Sequence, residues 1–310
     1  MNFILQLLLL TVGFVMLVKG ADWFVDGACW VAEKFRIPQL IIGLTIVAMG
    51  TSAPEAAVSL TSAAKGVADI TIGNIVGSNI MNVLVILGLS AAIVPLAVAK
   101  STVRIEIPFL IVITALLYLL GMDGSMTLMD GIILIFCFLL YIGYLFYSAI
   151  KHPEAGGEEE GGKKMKSWQA LLGLAVGLGL ILLGSDIAVD AATEIARILG
   201  LSERFIGLTI VALGTSLPEL FTSVTAARKG NADIAIGNIV GSNIFNILFV
   251  VGLSSLIIPV PFSAAFLVDT LIALAVVVFL LLACLREQKL TRISGIIMLI
   301  SYVAYLLYLL

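Results

Sequence analysis

Two thirteen-residue stretches of this chain return almost unchanged 164 positions later. Gly43 to Glu55 reads GLTIVAMGTSAPE and Gly207 to Glu219 reads GLTIVALGTSLPE, identical at 11 of 13 positions. Ile70 to Asn82 reads ITIGNIVGSNIMN and Ile234 to Asn246 reads IAIGNIVGSNIFN, again 11 of 13. Both pairs interrupt long apolar runs with a glutamate, a proline and a set of Ser, Thr and Asn side chains. Any fold must therefore present the same polar stretch twice within apolar surroundings, where polar groups are costly and mark a functional site by default.

The apolar runs fix the solvent. With 61% hydrophobic and 12% charged residues and a mean hydropathy of +1.18, the chain has more apolar surface than a soluble domain of 310 residues hides. A spanning helix needs ~20 mostly apolar residues. Ten such runs are read at roughly 3–22, 38–64, 69–97, 103–121, 126–148, 167–187, 202–228, 233–258, 262–285 and 290–310. None shows the short alternating pattern of an outer-membrane barrel. The first run lacks a basic leader and a clear small-residue cleavage site, and is read as a retained helix. The expected fold is an all-α integral membrane protein of ten transmembrane helices.

The one break in character is Lys151 to Lys166, KHPEAGGEEEGGKKMK, a glycine-rich charged tether. Its Glu158, Glu159 and Glu160 lack the spacing of an EF-hand loop and are read as solvated. Residues 1–150 then form a first five-helix repeat, 151–166 a linker and 167–310 a second repeat. Five is odd, so the second repeat enters the membrane upside down, and such inverted repeats place a binding site near the midplane, on interrupted helices. The repeat reaches beyond its motifs: Gly13, Gly20, Asp22 and Asp26 match Gly177, Gly184, Asp186 and Asp190. The matched glycines suggest smooth faces on which the first and sixth spans slide, and the aspartates are expected at span ends, facing water.

Basic residues set the orientation. With the N-terminus outside, the inner loops hold Lys34, Arg36, Lys100, Arg104, Lys151, Lys163, Lys164, Lys166, Arg228, Lys229, Arg286, Lys289 and Arg292, thirteen of 17. Both termini are expected outside the cell membrane and the linker in the cytoplasm. Cys29, Cys137 and Cys284 have no motif spacing, and the one histidine, His152, lies in a loop, so neither a disulfide framework nor a zinc site is expected.

Pro54 and Pro218, with Gly50 and Gly214 before them, should break the second and seventh spans and free carbonyls near Ala48 and Ala212. Glu55 and Glu219 follow directly, and no basic side chain shares their apolar runs. Such a carboxylate takes up a proton or finds a cation. Two of them balance one divalent ion, and hydroxyls and carbonyls can complete the ~6–8 oxygens that calcium takes. Asn74, Ser78 and Asn82, and likewise Asn238, Ser242 and Asn246, recur every four residues along one helix face. Gly73 and Gly77, with Gly237 and Gly241, permit close helix approach.

These motifs, GTSAPE and GTSLPE each followed by GNIVGSN, resemble the alpha repeats of the sodium/calcium exchangers of prokaryotic type, within the calcium/cation antiporter superfamily. The resemblance implies that Glu55 and Glu219 bind calcium and share in sodium binding, with Thr51 and Thr215 completing the calcium shell. It implies that Ser52, Ser78, Ser216 and Ser242, with the carbonyls of Ala48 and Ala212, serve sodium, and that Asn82 and Asn246 hold the centre. Some family members, the potassium-dependent branch included, carry aspartate at the position of Asn246, which argues against potassium dependence here. The proton/calcium branch carries acidic residues in the GN segment, where this chain has Ser78, Asn79, Ser242 and Asn243. The expected function is sodium/calcium antiport by alternating access, without a cofactor; a calcium/proton antiporter and a potassium-dependent exchanger are the alternatives, and a cation channel is a further rival. The expected partners are calcium, sodium and the lipid bilayer, with no nucleic acid. A monomer suffices, since one chain builds the whole site. No protease aspartate pair, zinc histidines or serine–base arrangement points to an enzyme.

Overall fold

The computed structural model describes residues 3–66, 68–151, 166–200 and 212–309. Its helices are α1 (Phe3–Phe35), α2 (Gln39–Thr51), α3 (Ala53–Ala64), α4 (Thr71–Ile93), α5 (Thr102–Gly121), α6 (Leu128–Lys151), α7 (Ser167–Ile198), α8 (Ala212–Thr215), α9 (Leu217–Arg228), α10 (Ala232–Ile257), α11 (Ala264–Leu285) and α12 (Arg292–Leu309). Eight of these are each long and apolar enough to cross a membrane, and α2 with α3 form one further span bent by 50°. The protein is an all-α, multi-pass membrane protein. The run expected at 202–228 falls partly outside the described residues, which hold only its α8 and α9 portions; the linker with its three glutamates lies outside them as well.

The first and sixth spans are longer than their apolar runs. The sequence from Asp22 to Phe35 has polar residues but no proline, so α1 continues until Arg36 turns left-handed (φ 54°) ahead of Pro38. The helix α7 likewise runs to Ile198, before Gly200 at φ 79° closes it. Asp22, Asp26, Asp186 and Asp190 therefore lie within continuous helices, Asp186 and Asp190 exposed and Asp22 and Asp26 half-buried.

α1 and α7 pack antiparallel. A Cβ on Gly13 would meet Gly184 O at 2.8 Å, one on Gly20 would meet Gly177 O at 2.8 Å, and one on Gly27 would meet Ala170 O at 2.7 Å. The pairing ascends on one helix as it descends on the other. The first helices of the two repeats thus run in opposite directions, which is the inversion expected from an odd helix count. Short antiparallel ribbons repeat the symmetry: β1 (Leu96–Ala97) pairs with β4 (Lys289–Leu290), and β3 (Val260–Pro261) pairs with β2 (Ser125–Met126). Each ribbon carries a strand of one half across to the other.

α4 and α10 occupy the centre, with 78% and 94% of their apolar windows buried, against 11% for α12 and 22% for α6. The outer helices turn Phe136, Leu139, Leu140 and Phe146 outward, as lipid requires. Gly237 and Gly241 let α10 lie against α2, where an added Cβ would meet Leu40 O at 2.8 Å and Leu44 O at 2.7 Å.

Candidate functional site

The helix breaks are narrower than the prolines suggest. Only Ser52 (φ −81°, ψ 8°) separates α2 from α3, and Ser216 (φ −93°, ψ 3°) separates α8 from α9. Pro54 and Pro218 fall in the first turns of α3 and α9, where a missing N–H costs no hydrogen bond. Glu55 and Glu219 stand in those same turns, at the positive ends of the helix dipoles. The carbonyl of Ala48 is engaged rather than freed: it accepts from Ser52 N at 3.0 Å, Thr51 Oγ1 at 3.3 Å and Ser242 Oγ at 3.4 Å. Ala212 opens α8 at the edge of the described residues.

The two carboxylates come together across the pseudo-two-fold axis. Glu55 and Glu219 are 1% and 0% exposed and lie within electrostatic reach of each other. Ser52, from the first half, donates to Glu219 Oε1 at 2.8 Å. Ser216, its counterpart, lies beside Glu55, mirroring the Ser52–Glu219 contact. Among the described residues no lysine or arginine pairs with either glutamate.

Four asparagines build the opposite wall. Asn79 Nδ2 donates to Asn243 O at 3.3 Å, and Asn243 Nδ2 returns the bond to Asn79 O at 3.1 Å. Asn82 Nδ2 donates to Asn243 Oδ1 at 2.9 Å, and Asn246 Nδ2 to Asn79 Oδ1 at 3.1 Å. This network fixes every amide: flipping Asn82 or Asn246 would set oxygen against oxygen. Both are thereby left with a buried Oδ1 that has no partner. Each opens a π-helical stretch, Asn82–Leu87 and Asn246–Val251, a local widening frequent at functional sites.

Other residues hold the carboxylate-bearing turns in place. Asn74 Nδ2 donates to Ser59 Oγ at 3.1 Å, and Asn238 Nδ2 to Ser223 Oγ at 2.9 Å. Thr51 Oγ1 donates to Asn238 Oδ1 at 3.0 Å, tying α2 to α10. Thr215 ends α8 and borders a cavity of about 560 Å³ that also reaches Pro54. Ser78 and Ser242 are buried on α4 and α10.

The structure therefore gathers Glu55, Glu219, Thr51, Ser52, Ser216, Ser242 and Ala48 into one buried polar cluster, and Asn82 and Asn246 into a second, on the same two central helices as Ser78 and Ser242. Asn79, Asn243, Ser59 and Ser223 belong to these clusters as well and were not singled out from the sequence. The signal was available: each serine lies one helical turn after its glutamate, and each asparagine lies three residues before the asparagine of the four-residue stripe.

Four buried oxygens of these clusters lack any hydrogen-bond partner: Glu55 Oε2, Glu219 Oε2, Asn82 Oδ1 and Asn246 Oδ1. Leaving such groups unmade costs ~1–3 kcal/mol each, more for charged ones. The amide oxygens can only accept, and the carboxyl oxygens accept when ionised, so their complement is a cation or a donor. All are hard oxygens, and among the described residues no three Asp, Glu, His or Cys side chains converge. That donor set suits sodium or calcium rather than zinc or copper.

Comparison with known proteins agrees with this chemistry. The profile of the sodium/calcium exchanger protein family matches twice, over residues 5–147 and 169–310, one match per repeat. The chain belongs to the sodium/calcium exchanger family. Membership makes it a membrane antiporter for cations. Its relatives include a putative antiporter, CaxA, of Alkalimonas amylolytica, 43% identical over 303 residues and 95% of each chain. The sodium/calcium exchanger MaX1 of Methanosarcina acetivorans is 30% identical over 96% of this chain and 97% of its own. A solved structure of the sodium-calcium exchanger NCX_Mj, soaked with zero Na+ and Ca2+, superposes with a TM-score of 0.86 at 32% identity, covering all of both chains.

Proposed function

We propose that this family member exchanges sodium for calcium by alternating access, with Glu55 and Glu219 as the shared ligands of both ions. The observation carrying the reading is the pair of buried glutamates, each with an unpartnered Oε2, together with two buried asparagine oxygens that also lack partners. Two buried carboxylates held within electrostatic reach of each other repel, and the more so the lower the effective dielectric around them. One calcium removes that repulsion outright. Sodium ions bound at the hydroxyl and carbonyl oxygens of Thr51, Ser52, Ser78, Thr215, Ser216, Ser242, Ala48 and Ala212 offset it in the same space. Asn82 and Asn246 supply neutral oxygens at the centre, and a neutral Asn246 leaves no third charge for potassium.

Competition for two carboxylates makes the exchange obligatory. With the site empty, two uncompensated charges face a low-dielectric interior, at a cost on the order of several kcal/mol per ion. The empty form is then trapped on one side, while either loaded form can reorient. Any net charge carried with sodium draws ~2.3 kcal/mol per 100 mV from the membrane potential. Both termini face outward in this reading, with the linker in the cytoplasm.

Radiolabelled calcium uptake into proteoliposomes preloaded with sodium, potassium or protons in turn tests this directly. Uptake that follows the sodium gradient alone supports it. Uptake driven by a pH gradient without sodium replaces it with calcium/proton antiport, to which an unpartnered buried carboxyl oxygen also lends itself. Calcium flux with no counter-ion would mark a channel.

A further inference from the structure

The two halves match in sequence but differ in how their first helices close on the core. α1 packs along α9, and Lys229, at the C-terminal end of α9, reaches back to it. Its Nζ lies 2.6 Å from Asp26 Oδ1 and 3.4 Å from Asp22 Oδ1, and donates to Asp22 O at 2.8 Å. Every member of this contact has a counterpart 164 residues away: Lys65 for Lys229, Asp186 for Asp22 and Asp190 for Asp26. Lys65 ends α3 as Lys229 ends α9. Yet the second contact is not made. Among the described residues Lys65 is exposed and makes no ion pair, and α7 stands apart from α3 around the cavity of about 560 Å³ lined by Pro54, Ala57, Ser185, Asp186, Val189 and Asp190.

We propose that Lys229 and Lys65 are alternating gate latches, one for each mouth of the transport path. The inference rests on the alternating-access reading above. In the state described, Lys229 holds Asp22 and Asp26 and shuts the mouth between α1 and α9, while the mouth between α7 and α3 stands open beside Thr215 and Pro54. An inverted repeat reaches its opposite state when the halves exchange conformations. Lys65 then closes on Asp186 and Asp190, and Lys229 releases α1. The glycine contacts seat α1 and α7 directly on each other, so the two helices move as one body. Because each latch exists in one state only, each biases the equilibrium in its own direction.

Two cysteine reporters read that bias. Val189 lines the open mouth, and Val25, its counterpart, is fully buried. Val189→Cys and Val25→Cys are made separately in a background with Cys29, Cys137 and Cys284 replaced by serine, and labelled in proteoliposomes with a hydrophilic thiol reagent. Lys229→Gln should raise labelling at position 25 and lower it at position 189, by roughly fivefold for a partly exposed ion pair. Lys65→Gln should do the reverse, the double variant should return to the starting ratio, and Lys229→Arg should leave it unchanged. Shifts of the same sign, or none, overturn the latch. Sodium-driven calcium uptake is measured on the same vesicles: its absence in the unsubstituted protein overturns the exchange reading, whereas its presence with unshifted labelling overturns only the latch.

Discussion

Gly177 and Gly179 sit two residues apart on α7 and should answer the same substitution with opposite signs. A Cβ on Gly177 would lie 2.6 Å from Phe24 N and 2.8 Å from Gly20 O, both backbone atoms of α1. Those gaps are about 0.7–0.9 Å short of an ordinary contact near 3.5 Å. Backbone cannot rotate away, so the helices must part, at the upper end of the ~1–3 kcal/mol usual for overpacking. Alanine regains about 1 kcal/mol of helix propensity, which leaves a net loss of roughly 2 kcal/mol. At Gly179 nothing among the described residues lies within 4 Å, so only the propensity gain remains. Thermal unfolding of the purified protein in detergent should show a midpoint lowered by roughly 4 °C for Gly177→Ala and raised by roughly 2 °C for Gly179→Ala. Equal shifts, or no loss at Gly177, would refute the antiparallel glycine contact on which the inverted arrangement of α1 and α7 rests.

Asn79→Leu and Asn243→Leu each strand two hydrogen-bond partners across the axis, so each should cost ~2–6 kcal/mol at ~1–3 kcal/mol per orphaned group; near-equal losses of thermal stability are expected, and a large inequality would contradict the two-fold network. Ser52→Ala removes a 2.8 Å bond to Glu219 and should slow sodium-driven calcium uptake at least ~tenfold, consistent with the ~1.5–3 kcal/mol of a charge-assisted bond. Glu106, a buried carboxyl on α5 that accepts from Tyr144 Oη at 3.4 Å, stands outside the polar core; Glu106→Gln should leave uptake rates within about twofold, since it touches none of the proposed ion ligands and keeps its shape.

Most of the architecture was legible because membrane helices are long and the duplication is nearly verbatim. Five apolar runs read before the charged tether and five after it imply inversion by parity alone, and α1 does run antiparallel to α7. Helix ends were less legible: α1 and α7 overrun their apolar stretches because helix continuation depends on the absence of proline rather than on hydropathy. The glutamates, prolines and serines of the core stood out as polar intrusions in apolar runs. Asn79 and Asn243 did not, since their roles come from facing each other across an axis that exists only once the halves are assembled. The break at Ser52 is a single residue rather than an unwound segment, because Pro54 fits the first turn of α3 without a lost hydrogen bond.

The central claim is that Glu55 and Glu219 together capture one divalent ion that sodium displaces. Equilibrium binding of radiolabelled calcium to the purified protein, titrated against sodium, measures it without requiring transport. The account predicts one calcium per chain, displaced competitively by sodium, with affinity falling at least ~100-fold, about 2.8 kcal/mol, in Glu55→Gln and in Glu219→Gln alike. Calcium binding that survives both substitutions, or that sodium leaves untouched, would contradict it.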